Sequence, residues 1–225
     1  MKQEEKILTR EIVLELGLDT SKVITPDMLD GYTSIENDAF NGCLSLISIT
    51  IPNSVTNIGY YAFFNCSSLT SIIIPNSVTS IGNGAFFKCS SLTSVTISNS
   101  IARIGIYAFV NCNKLKNIVI GDKTYKTQKV VDGKCKAYKA FNSDMTCREF
   151  QYEEGKTYEF DGELELCVRG FHACLRLTDV LNYYFGELGK DIVIHEVVLE
   201  GVSEEISSDD SKVVAKKITI GKRIL

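Results

Sequence analysis

Through the first half of the chain, apolar residues return on a fixed period of 23 positions. The unit Leu69 to Ser91, LTSIIIPNSVTSIGNGAFFKCSS, shows the pattern. Leu69, Ile72, Ile74, Val78, Ile81, Ala85 and Phe86 recur as apolar, and the alternation across Ile72 and Ile74 predicts a short strand. Four columns keep one residue type throughout: Ala39, Ala62, Ala85 and Ala108; Phe40, Phe63, Phe86 and Phe109; Cys43, Cys66, Cys89 and Cys112; Leu46, Leu69, Leu92 and Leu115. A period of roughly 20–29 residues belongs to solenoids in which each unit is one coil. A lone coil buries too little apolar surface to offset the entropy lost in ordering it. Neighbouring coils must therefore share an interior and pair their strands edge to edge.

The units also carry Ile-Pro-Asn-Ser-Val, at 51–55 and 74–78, then Ile-Gly and a closing Ala-Phe-x-x-Cys. These motifs closely resemble the BspA-like leucine-rich repeats of bacterial, viral and protist proteins, over about Ile24 to Gly121. The resemblance implies a curved solenoid with a parallel sheet on its inner side, used mostly for binding other macromolecules. Full coils are expected from near Leu46, Leu69 and Leu92. A degenerate first coil precedes them, in which Ile24-Thr25-Pro26 is followed by an acidic insertion, Asp27 to Gly31, before Tyr32 and Ile35 rejoin the register. A last strand, Leu115 to Ile120, stops at Gly121. Between Thr9 and Gly17 a short helix is predicted, with Thr9 as cap, Leu8 and Val13 at the staple positions and Gly17 as a left-handed stop. We read 1–22 as an N-terminal helical cap over the solenoid end, 23–121 as repeats and 122–225 as a second domain.

Composition narrows the function. The chain has 225 residues, 44% of them hydrophobic, and a net charge of −4, so bulk electrostatics point to neither nucleic acid nor an anionic membrane surface. Met1 to Arg10, MKQEEKILTR, lacks the apolar run of a secretory signal, and no stretch reaches the length of a membrane span, which predicts a cytoplasmic protein. The repeat region adds one oddity: from Ala39 to Gly121 there is no Asp or Glu, and Lys88, Arg103, Lys114 and Lys116 are its charged residues. Alternation sends Ser48, Thr50, Ser71, Ile73, Ser94, Thr96, Asn117 and Val119 to the solvent side of the strands. They read as hydrogen-bonded ladders that stabilise the stack and as a contact surface that is cheap to desolvate, two readings that are compatible. The four columnar cysteines read as small interior hydrophobes, reduced in a cytoplasmic setting.

After Lys123 the period vanishes. Strands are predicted at Lys123 to Tyr125, Lys129 to Val131, Lys136 to Phe141 and Glu149 to Tyr152, with Asp132-Gly133 as a hairpin turn. Tyr158 to Phe160 and Glu163 to Cys167 flank a second hairpin signal, Asp161-Gly162. A helix follows at Leu177 to Phe185, closed by Gly186, then strands at Ile192 to Leu199 and Val213 to Ile220. Lys212, Lys216, Lys217, Lys222 and Arg223 read as guards of an exposed edge. This is a mixed α+β domain, which makes α+β the fold class of the chain as a whole. The strings Lys139-Ala140-Phe141, Cys147 to Tyr158, Gly170-Phe171-His172-Ala173-Cys174 and Asn182-Tyr183-Tyr184 resemble an uncharacterised domain common in bacterial and phage proteins. That family carries no known activity.

Two chemical readings of the second half compete with a purely structural one. The order of basic strand residue, Gly-Phe-His-Ala turn, Tyr pair and late strand is loosely similar to ADP-ribosyltransferases. That similarity would cast Arg148, His172 and Glu196 as catalytic and Tyr183 and Tyr184 as stacking on a nucleotide. The Ser-Thr-Ser and paired-Glu motifs of that family are missing, and a nucleotide-binding domain without catalysis is the milder form of the same alternative. A metal site would draw on Cys135, Cys147, Cys167, His172, Cys174 and His195, but the one close set, Cys167, His172 and Cys174, lacks zinc-knuckle spacing. The carboxylates between Glu196 and Asp210 lack calcium-loop spacing and read as a solvated loop. The sequence thus predicts a non-enzymatic protein without cofactor or metal, binding another protein and neither nucleic acid nor membrane.

Overall fold

A computed structural model of the chain describes residues 5–105, 107–147, 150–166, 170–184, 192–203, 206–207 and 211–224. The chain divides into two compact units, Met1–Tyr125 and Lys126–Leu225. In the first unit the period becomes two parallel ladders. One joins β2 (Val23–Ile24), β4 (Ser48–Thr50), β6 (Ser71–Ile74), β8 (Ser94–Ile97) and β10 (Asn117–Ile120) in order, with β11 (Lys123–Lys126) beside β10. The other joins two-residue strands: β1 (Ile7–Leu8), β3 (Ser34–Ile35), β5 (Asn57–Ile58), β7 (Ser80–Ile81) and β9 (Arg103–Ile104). From β4 to β10 each residue pairs with the one 23 positions later, as in Ser48 with Ser71, Ser71 with Ser94 and Ser94 with Asn117.

Equivalent side chains consequently lie one above another. Phe40, Phe63, Phe86 and Phe109 form a near-parallel stack with ring centroids 5.0, 5.2 and 5.4 Å apart. The buried thiols of Cys66, Cys89 and Cys112 each donate to the carbonyl of a phenylalanine in the preceding coil, Phe40, Phe63 and Phe86, at 3.1 Å. Outside the strands the coils are knitted by hydroxyls: Thr56 and Thr79 donate to the carbonyls of Thr33 and Thr56, and Thr70 and Thr93 to those of Ile47 and Thr70. Gly59 and Gly82 permit this closeness, since a Cβ on either would lie 2.5 Å from backbone of the preceding coil.

The first coil accommodates its insertion as a 3-10 turn, Pro26–Leu29, that buries Leu29. Before it, α1 (Arg10–Glu15) is capped by the Thr9 hydroxyl, which accepts from the Ile12 N–H at 3.3 Å. Leu8 and Val13 are both fully buried, and Gly17 takes φ 65°. Arg10 reaches back to donate to the Ala39 carbonyl.

The second unit is almost all β. β12 (Lys134–Asn142), β17 (Ile192–Val202), β18 (Lys212–Arg223) and β16 (Phe171–Cys174) pair antiparallel in that sequence, and β16 returns to β12 at Cys174 and Tyr138, so the pairings come back to where they start. β15 (Thr157–Glu159) continues along β18, while β13 (Thr146–Cys147) and β14 (Phe150–Gln151) make a separate hairpin. One face of these strands forms a core that includes Ala137, Phe141, Val197, Leu199, Val213 and Ile218. The other helix of the described residues, α2 (Leu177–Tyr184), buries Leu177, Val180 and Leu181.

Several sequence expectations need correction. The chain is mostly β with two short helices among the described residues, so the α+β description overstates its helical share. Lys123–Lys126 extends the repeat ladder instead of opening a new sheet. The Asp132-Gly133 turn is present, both residues left-handed at φ 49° and 68°, but Lys129 to Val131 contributes a single bridge. Among the described residues no strand follows Asp161-Gly162 to pair with β15, whose partner is β18, far away in sequence. Phe171-His172-Ala173-Cys174, read as a turn, is β16. β18 is no edge: it is flanked by β17 on one side and by β16 and β15 on the other, Lys212 is buried, and Lys217 faces Glu159 at 3.1 Å. Phe185, Gly186, Glu149 and Cys167 lie outside the described residues.

Candidate interaction surface

The strand ladder gathers the expected contact residues into two rows on one face. Ser48, Ser71, Ser94 and Asn117 are paired in register, and beside them run Thr50, Ile73, Thr96 and Val119. Their neighbours Ile49, Ile72, Val95 and Ile118 are buried on the opposite face, as the two-residue alternation of a strand demands. Each row residue is exposed or half-exposed, and Ile73 is 56% exposed. Among the described residues no side-chain hydrogen bond links the row hydroxyls to one another. The hydrogen-bonded hydroxyl ladders belong instead to Thr56 and Thr79 and to Thr70 and Thr93, outside the rows. The row hydroxyls therefore keep their bonding capacity for solvent or a partner, on a surface that carries no charge.

In the second unit, alternation separates the other candidates. Cys135 and His195 lie on the core face, and His172, Cys174 and Glu196 on the other. Among the described residues no group of three or more His, Cys, Asp or Glu is placed to hold a metal ion. His172 Nε2 lies 3.3 Å from the Glu165 carbonyl, and β12 runs between His172 on β16 and Glu196 on β17. Arg148 lies outside the described residues, as do the side chains of Tyr183 and Tyr184.

The sequence reading passed over Lys139, which is 4% exposed and stands directly opposite His195 in the ladder. Its ammonium donates to the His172 carbonyl at 2.9 Å and sits 5.6 and 5.9 Å from the ring centres of Phe141 and Tyr152. His195 donates from Nδ1 to the Gly221 carbonyl at 2.8 Å, and Phe141 meets its ring edge-on. Burial, followed by Cys147 and Tyr158, pushes the Tyr152 phenol up to about 12. Parity along Lys134–Asn142 was the available signal: Lys139 shares its side of the strand with Ala137 and Phe141, whereas Lys134 and Lys136 face solvent.

Stacked coils closed by a phenylalanine column and joined by two parallel ladders define a repeat solenoid. More specifically, the chain belongs to the BspA type leucine rich repeat family, whose model matches residues 19–142 in six copies. A domain of unknown function, DUF7666, matches residues 135–225. Similar solved structures are bacterial leucine-rich repeat proteins. One from T. pallidum is 25% identical over 46% of this chain and 71% of that chain, with a TM-score of 0.36. A cell surface protein of Faecalibacterium prausnitzii is 32% identical over 44% of this chain, with a TM-score of 0.35, and a protein of Bacteroides ovatus is 34% identical over 40% of it, with a TM-score of 0.36. This chain spans 32% and 26% of the length of those last two. No curated protein matches. No helix among the described residues is long and apolar enough to cross a membrane.

Proposed function

We propose that the chain is a protein-interaction module of bacterial or phage origin that recognises its partner through the two exposed rows of the repeat ladder. The supporting observation is the register. Ser48, Ser71, Ser94 and Asn117 beside Thr50, Ile73, Thr96 and Val119 make a charge-free surface whose hydroxyls are not engaged with each other. Such a surface loses little on desolvation and contributes apolar contact through Ile73 and Val119. The buried columns underneath hold the rows rigid, so the exposed residues vary without disturbing the interior. An N-terminal cap over 1–22, repeats over 23–121 and a second domain over 122–225 is the organisation we assign. We place the chain in a cytoplasmic setting, where the thiols of Cys43, Cys66, Cys89 and Cys112, buried in the repeat interior, stay reduced.

The test is affinity capture from cells of the native host with the full chain as bait. Ile73→Asp combined with Thr96→Asp, checked for an unchanged thermal melt, is expected to lose the captured protein, because a partner would have to bury two unpaired carboxylates. Capture undiminished by the pair would overturn the assignment to this face.

A further inference from the structure

A second surface, of different chemistry, lies at the corner of the coils. Each coil passes through two left-handed residues there; the first column is Asp38, Tyr61, Gly84 and Tyr107, at φ 58°, 52°, 60° and 58°, and the second is Gly42, Asn65, Lys88 and Asn111. Gly and Asp adopt this conformation readily, whereas a bulky aromatic residue resists it. The coil does not require tyrosine, yet Tyr61 and Tyr107 hold the strained position while 41% and 47% exposed. Gly84 makes room for one of these rings, since a Cβ at Gly84 would collide with Tyr61. Tyr61 meets Phe64 edge-on at 5.6 Å, and Phe64 stacks on Phe87 at 5.6 Å, both rings half-buried. Exposed Lys88 reaches over this pair, its ammonium 5.7 and 5.8 Å from the two ring centres. Among the described residues Lys88 has no carboxylate partner, and all 28 Asp and Glu of the chain fall outside Ala39 to Gly121.

We propose that this corner, formed by Tyr61, Phe64, Phe87 and Lys88, docks an acidic protein segment. An apolar or aromatic side chain of that segment lies on the phenylalanine pair and an adjacent carboxylate reaches Lys88. The chemistry selects this occupant on three counts. Exposed Lys88, which has no carboxylate partner among the described residues, repels a basic partner. A neutral ligand covering the rings would bury the Lys88 ammonium without a counter-charge. A purely anionic polymer would pair with Lys88 but gain nothing from the ring faces. The site is independent of the strand rows, which carry no charge.

The test uses the full chain and a fluorescently labelled random copolymer of glutamate and tyrosine, followed by fluorescence polarisation. Binding is expected, weakening as salt is raised. Lys88→Glu is expected to lower the affinity at least about tenfold. Tyr61→Gly relieves the strained backbone, so it is expected to weaken binding several-fold while leaving the melting temperature unchanged or higher. Ile73→Asp on the strand face is expected to leave copolymer binding unaltered, so failure here and failure of the strand-face assignment are read separately. No binding, binding indifferent to both corner variants, or equal affinity for polyglutamate or heparin would overturn the proposal.

Discussion

Glycine at one coil position illustrates how stacking reaches down to single residues. Gly59 and Gly82 have no room for a Cβ against the preceding coil, whereas Glu36, the first residue of the same column, is exposed. The segment before Glu36 leaves the coil path at Thr9 to form α1. Gly82→Ala is therefore expected to cost at least about 2 kcal/mol, and Glu36→Ala less than about 0.5 kcal/mol, in urea denaturation of the full chain. The cysteines make a chemical counterpart. Burial pushes Cys66 up to about 12 and Cys135 to about 11, and the hydrogen bond with Cys112, together with burial, raises Cys89. Thiolate is the reactive form. At pH 8, Cys147, the least covered of the described thiols, is expected to react first with a disulfide reagent, and the columnar cysteines only on unfolding. Early labelling of Cys66 or Cys89, mapped by mass spectrometry, would contradict their placement.

Elements differed in how much of them the sequence disclosed. α1 was legible because its signals are local: cap, staple and left-handed stop all fall within nine positions of one another. Removing the cap by Thr9→Ala is expected to cost about 1 kcal/mol, read as a lower melting temperature. β12, β14, β15, β17 and β18 were located but their neighbours were not, since antiparallel partners such as Thr157 and Thr219 are distant in sequence and no period marks them. β18 was misjudged because its lysines resemble edge protection, while Lys217 in fact faces Glu159 and Glu200 across the flanking strands. A strand held on both sides predicts that Ile218→Ala costs about 2–5 kcal/mol, against under about 0.5 kcal/mol for Lys222→Ala. Equal effects in denaturant titrations would return β18 to an edge. β16 escaped notice because four residues behind Gly170, at φ 100°, carry too little pattern to distinguish strand from turn.

At the scale of the whole molecule, the solenoid was readable because its repeat is written directly in the order of residues. The strand-face rows were readable for the same reason, since a period and an alternation together specify which side chains share a face. The corner was not. Phe64 meets Phe87 only once neighbouring coils are superposed, and the strained backbone of Tyr61 has no signature in composition. Lys139 and His195 come together through the register of β12 and β17, which the sequence does not contain. The central claim is that coils unable to persist singly form one cooperative stack. Native-state amide hydrogen exchange tests it most directly. If the claim holds, the strand amides of Ile72 and Val95, in adjacent central coils, exchange through the same opening, with one free energy and one dependence on denaturant. Separate opening free energies, with Ile72 exchanging while Val95 remains protected, would show coils that stand alone and would contradict it.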